Sequence, residues 1–175
     1  MKNLYYEDTL LSILYLCDWS KKKWDLVEMS KDKYSVEAGE DHLTYTFYSE
    51  GPKGKILKIV LYQYVYENLY NLAFGDSNGQ GYEFDDFIRS DNKDTERVLA
   101  TVASTLYDFF DNYNGALVVA RGSTNSRTRL YRRYLTMFLD TINSDFALYG
   151  ELEGKLERFV KGVDYQSFLI KKIER

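Results

Sequence analysis

The sequence predicts an α+β domain built on a mixed, mainly antiparallel sheet. Three observations carry that prediction. From His42 onward, segments of alternating apolar and polar residues follow one another across short turns. A wide apolar helical stripe over 95–113 then leads at once into the uninterrupted apolar run Ala116–Ala120. A second amphipathic helix follows, and after it two more strand-like segments.

Taken in order, Leu10, Ile13, Leu14 and Cys17 recur at helical spacing and predict an N-terminal helix over 4–17. Lys21–Lys23 interrupts it, and residues 24–40 read as a short strand and a polar loop. His42–Ser49 alternates with Leu43, Tyr45 and Phe47 on one face. Gly51-Pro52-Lys53-Gly54 is a turn holding the only proline of the chain. Lys55–Tyr66 is a long strand, and Glu67-Asn68 reverses the chain into Leu69–Phe74. A glycine-rich loop over 75–81 leads to a fourth strand, Tyr82–Ile88. Asp94 or Thr95 caps a helix to about Tyr113, with Val98, Val102, Leu106, Phe109 and Tyr113 in one stripe. Strand, helix and the buried run 116–120 suggest a crossover onto a parallel neighbour. Ser123-Thr124 starts a second helix to about Asp140, with Leu130, Tyr134, Met137 and Phe138 facing the core. Asp145–Tyr149 and Tyr165–Ile173 are the last strands. The expected organisation is an N-terminal helix and extension over 1–40 and the α+β domain over 41–175.

Composition narrows the function. With 23 basic against 27 acidic side chains the chain carries −4, which argues against a surface that coats nucleic acid or an anionic membrane. One cysteine, Cys17, and one histidine, His42, exclude a disulfide framework and leave no material for a His/Cys metal cage or a Ser-His relay. Both read as structural, and no metal is expected. The chain shows neither a signal-peptide layout nor an apolar run of about 18 residues, so a cytoplasmic protein without a membrane partner is expected.

Two charge clusters stand against that background. Residues 121–133 hold Arg121, Arg127, Arg129, Arg132 and Arg133 and no acid. Helix geometry places Arg129, Arg132 and Arg133 on an outward face and Arg127 one turn before Tyr131 on its side. Ser123, Thr124 and Asn125 open the helix, where free N–H groups and small polar side chains suit an anion. These residues are candidates for binding an anionic ligand, or a protein or nucleic-acid partner; solvated or paired arginines are the plain alternative. The acidic cluster is Asp76, Glu83, Asp85, Asp86, Asp91, Asp94 and Glu96. Alternation puts Asp86 on the face of Tyr82 and Phe84 and Glu83 with Asp85 on the other; a carboxylate against aromatic surface has the raised pKa that base work needs, and acids that decorate a solvated hairpin are the plain alternative. Asp76, Asn78 and Glu83 match no calcium-loop spacing. The tyrosines of the meander, Tyr45, Tyr48, Tyr62, Tyr64 and Tyr66, read as cross-strand packing, with base stacking as the alternative.

Two resemblances follow from these residues. The order of four strands, helix, strand, helix and two strands is similar to the core of the GNAT acetyltransferase fold. Thr124-Asn125-Ser126-Arg127-Thr128-Arg129-Leu130-Tyr131 resembles the fourth GNAT helix, where an Asn opens the helix and a Leu-Tyr pair follows. That resemblance implies an acyl-CoA-dependent N-acyltransferase, or a relative keeping an anion-binding cleft between splayed fourth and fifth strands. Asp86 or Glu83 would then deprotonate an amine, and Tyr131 would protonate the leaving thiolate. Ser49–Lys55 and Arg121-Gly122-Ser123-Thr124, followed by Arg127–Tyr131, also resemble a family of small bacterial domains of unknown function over roughly 42–172. In the stretch corresponding to the GNAT pyrophosphate loop, Asn92 can take a left-handed conformation. Asp91, Asp94 and Glu96 place negative charge at the helix start, so acetyl-CoA is expected to bind weakly. Two other classes fit the same residues: a non-catalytic binding module using the arginine helix, and a toxin-like RNA-acting protein using Arg127 and Tyr131.

Overall fold

The structure, a computed structural model, describes residues 33–79, 84–85, 91–137 and 145–173. The expected N-terminal helix over 4–17, with Cys17, lies outside the described residues, as do Glu83, Asp86 and Phe138. The elements are β1 Glu37–Ala38, β2 Thr44–Gly51, β3 Gly54–Tyr66, β4 Leu69–Ser77, β5 Phe84–Asp85, α1 Thr95–Asn112, β6 Leu117–Ala120, α2 Asn125–Met137, β7 Phe146–Leu152, β8 Lys155–Arg158 and β9 Ser167–Lys172.

Among the described residues all nine strands join one sheet, in the order β1-β2-β3-β4-β6-β9-β7-β8, with β5 paired to β4. The β4–β6 pair is parallel, Leu69 to Leu72 lying beside Leu117 to Ala120, and the other pairs are antiparallel. This is the mixed, mainly antiparallel sheet expected, with the apolar run over 117–120 in its interior between β4 and β9.

The turns explain the register. Gly51 pairs with Gly54, whose φ of 86° closes the Pro52-Lys53 turn. At the other end of β3, Glu67 (φ 47°) makes the reversal into β4. β1, two residues long, lies in the 24–40 stretch read as a short strand and a polar loop. β8 lacked a sequence signal: it is an edge strand whose four side chains are all exposed. Leu152 pairs with Lys155 across Glu153-Gly154, both at positive φ, the backbone of a type I′ hairpin turn.

The core lies between α1 and one face of the sheet. Alternation delivers Tyr45 and Phe47 from β2, Val60 and Tyr62 from β3, and Leu72 from β4, all buried. The predicted stripe of α1 meets them with Val98, Val102, Leu106 and Phe109. Tyr62 stacks on Phe109 with centroids 4.0 Å apart, and its hydroxyl is satisfied by Thr105 Oγ1 at 2.8 Å. Each such large side chain stabilises the fold by about 1.5–3 kcal/mol on burial. From α2, Tyr134 packs with Leu99 and Ala100 of α1, and Leu130 and Tyr131 border the same cluster. Among the described residues no helix is long and apolar enough to cross a membrane.

Candidate functional site

The site begins where β6 ends beside β4. β6 accompanies β4 only from Leu69 to Leu72, and β5 meets the same edge only at Asp76 and Ser77. Beside Ala73–Gly75 a cavity of 610 Å³ opens instead. The sheet supplies Lys58, Phe74, Gly75 and Asp76 to its floor; the start of α1 supplies Asp91, Asn92, Asp94, Thr95, Val98 and Leu99; and α2 supplies Ser126, Arg127, Leu130 and Tyr131.

Lys58 and Asp76 face each other across β3 and β4 and form an ion pair, with side chains only 8% and 9% exposed. Sequence reasoning missed this pair. A signal existed: Lys58 stands in phase with Val60 and Tyr62, on the face of β3 that is otherwise apolar.

The loop leading into α1 corrects two expectations. Asn92 does not take the left-handed conformation; its neighbours Asp91 (φ 43°) and Lys93 (φ 59°) do. Asn92 is instead buried and fastens the loop to the β2–β3 turn. Its Oδ1 accepts from the Lys53 N–H at 2.9 Å, and its Nδ2 donates to Ser49 Oγ at 3.0 Å and to the Gly54 carbonyl at 3.1 Å. Gly51 permits that approach, since a Cβ there would lie 2.0 Å from the Asn92 carbonyl oxygen. Asp94 occupies the N-cap position, yet its side chain makes no cap bond. Its Oδ2 accepts from Tyr34 Oη at 2.8 Å and Ser49 Oγ at 2.6 Å. Tyr34 is buried, stacks on Phe47, carries the Arg97 guanidinium over its ring, and receives the Glu50 N–H on its hydroxyl oxygen at 2.9 Å.

Tyr131 is half-buried, its ring 5.5 Å from that of Phe74. Arg127 lines the same cavity and donates from Nη1 to Ser123 Oγ at 3.0 Å. Thr124 Oγ1 accepts the Arg127 backbone N–H at 3.3 Å and so caps the helix. Ser123, Thr124 and Asn125 line a second cavity, of 740 Å³, with Arg121, Arg129, Arg132, Asp164 and Gln166. The helix therefore divides the expected set, with Arg127 and Tyr131 on one cavity and the helix-opening residues on the other. The outward arginines do not form one free patch. Arg129 and Arg133 are exposed, whereas Arg132 is ion-paired with Asp164 and donates to the Val163 carbonyl at 3.2 Å. Among the described residues no three His, Cys, Asp or Glu side chains are grouped so as to hold a metal ion.

With this geometry in hand, comparison with known families gives a match over residues 30–173 to the model of a family of unknown function, DUF6934. The chain belongs to DUF6934. No curated protein and no solved structure matches it. The DUF6934 region begins ahead of Tyr34, so the segment that braces Asp94 falls inside the family's span. It also includes the β4–β6 pair, both cavities and the whole of α2.

Proposed function

We propose that this chain is a relative of the GNAT acyltransferases that keeps their inter-strand cleft as a small-molecule site and has given up a tight grip on pyrophosphate. One observation carries the reading: β4 runs parallel to β6 over all four residues of β6, and beyond the end of β6 a cavity lined by β4, the start of α1 and α2 has Tyr131 on its wall. The order of elements supports it in outline, with a meander, a helix, an interior strand parallel to β4, a second helix and the β7–β9 pair, β1 and β8 being additional to the expected order. In an acyl transfer the amine nitrogen would attack the thioester carbonyl, the carbon–sulfur bond would break, and Tyr131 would give its proton to the thiolate. A carboxylate of the acidic cluster, Asp86 or Glu83, would take the amine proton.

The loss of pyrophosphate grip follows from Asp91 and Asp94, which put carboxylates where free N–H groups and the positive end of α1 would otherwise meet an anion. Titration calorimetry with acetyl-CoA tests the reading. Binding weaker than about 10 μM (roughly −7 kcal/mol) is expected. Tighter binding would show that the acids do not repel the pyrophosphate and would make the acyl-CoA enzyme the default reading. A second reading is favoured by the exposed guanidiniums of Arg121, Arg129 and Arg133: a binding module that holds a protein or nucleic-acid partner on α2.

A further inference from the structure

The two ends of the sheet are finished differently. At one end β1 is two residues long, too short to template a further strand. At the other, β8 has four residues, and among the described residues no strand lies beyond it. Its side chains are all exposed, and Leu156, 57% exposed, stands between Lys155 and Glu157. The ladder settles which backbone groups face outward. One step past the Tyr149–Arg158 pair, the Phe159 N–H donates to the Leu148 carbonyl at 3.0 Å. Glu157 and Lys155, two and four residues back, therefore turn their N–H and carbonyl groups toward β7, and Leu156 and Arg158 turn theirs toward the open edge. That edge is bounded on both sides. The Glu153-Gly154 turn begins it, and the Tyr165 hydroxyl ends it, accepting the Val160 N–H at 3.2 Å and lying 3.4 Å from the Arg158 carbonyl. Leu156 is the midpoint of the stretch 154–158 that remains.

We propose that β8 pairs antiparallel with β8 of a second copy of this chain, about a two-fold axis at Leu156. Self-pairing admits only registers that set outward-facing residues against outward-facing residues, so the axis must pass through a residue. An axis at Lys155, Glu157 or Arg158 sets two lysines, two glutamates or two arginines directly opposite each other, which destabilises a sheet. An axis at Leu156 sets leucine against leucine and Lys155 of each copy against Glu157 of the other. Lys155 and Glu157 share one face of the strand, so both ion pairs form on the same side of the joined sheet. Charge on an edge strand is a common guard against strand addition. Here the signs alternate, and the guard holds against every register centred on β8 but one. The joint covers only 154–158 of each copy, so it is weak and reversible.

Sedimentation equilibrium on the full chain tests the pairing. A monomer–dimer equilibrium is expected, with Kd between about 50 μM and 1 mM. Lys155→Glu sets like charges opposite each other at both pairs and should weaken the dimer by about tenfold or more. The swap Lys155→Glu with Glu157→Lys keeps the net charge and restores opposite pairing, so the dimer should return. Leu156→Pro removes the outward N–H at the axis, a change an edge strand tolerates, and should abolish the dimer. If that variant does not fold, Lys155→Glu, an exposed substitution, still decides. A chain that stays monomeric at about 1 mM would overturn the pairing. So would a dimer that Lys155→Glu leaves unchanged, since it would run through another surface. A folded swap variant that stays monomeric would overturn the register at Leu156.

Discussion

Asp108, on the flank of α1, receives two hydrogen-bonding groups on one oxygen: His42 Nδ1 lies 2.7 Å from Oδ2, and the Tyr45 hydroxyl donates to it at 2.9 Å. The His42 hydrogen bond holds the Asp108 carboxyl below its usual range; Tyr45 and the imidazole charge act in the same direction, and partial burial opposes them. A carboxyl whose pKa is lower in the folded chain binds protons more readily when unfolded. Its stabilisation is therefore present above the ordinary carboxylate pKa and is lost as pH falls through the depressed value. Asp108→Asn should lower the melting temperature at neutral pH, and its gap from the unaltered chain should narrow below about pH 4. Melting curves taken stepwise from neutral to acid check this, and a gap independent of pH would show that the carboxylate charge is not what stabilises. At this scale the sequence was half legible. It identified His42 as structural, but its partner is 66 residues away on another element, a separation no local pattern reports. Lys58 was readable in principle from the phase of β3, whereas Tyr34 sat in a stretch with no periodicity and took its role from Asp94 and Glu50, brought to it by the fold.

Helix α2 is best understood by what each flank of it touches. Arg132 is tied to Asp164 and the Val163 carbonyl in the segment before β9, while Arg129 and Arg133 project outward. Removing exposed guanidiniums costs little, because surface charge contributes ~0–1 kcal/mol. Arg129→Ala with Arg133→Ala should leave the melting temperature within about 1 °C. Arg132→Ala should lower it by about 2–4 °C, the effect of ~1 kcal/mol in a chain of this size. Differential scanning calorimetry on both variants checks the division, and the reverse ranking would show that the Asp164 tie does not hold α2. Element positions were well marked wherever burial imposes a period. The expected 95–113 and 116–120 appear as Thr95–Asn112 and Leu117–Ala120. β8 escaped because Lys155, Leu156, Glu157 and Arg158 are all exposed, so no alternation is written into them. The arginines showed the reverse difficulty: helical spacing gave their direction, but not the acid that Asp164 brings to one of them.

At the scale of the whole molecule, the described sheet is two antiparallel groups joined through β6 alone, which has β4 on one side and β9 on the other. Val118, fully buried at the middle of that strand, pairs with Tyr70 and with Ile170. Val118→Ala should cost about 2 kcal/mol through the cavity it leaves. Because one core runs beneath both groups, native-state hydrogen exchange should show the loss equally in β3 and β9. A loss confined to one group would divide the domain into independent units. The same topology sets an order in time. β9 is the last described strand in sequence but an interior one in space, flanked by β6 and β7. While the chain is being made, the meander can pair as each hairpin leaves the ribosome, and β7 can fold back on β8. The facing edges of β6 and β7 stay unfilled until residues 167–172 arrive, so the nascent chain carries two sticky strand edges until β9 has been made.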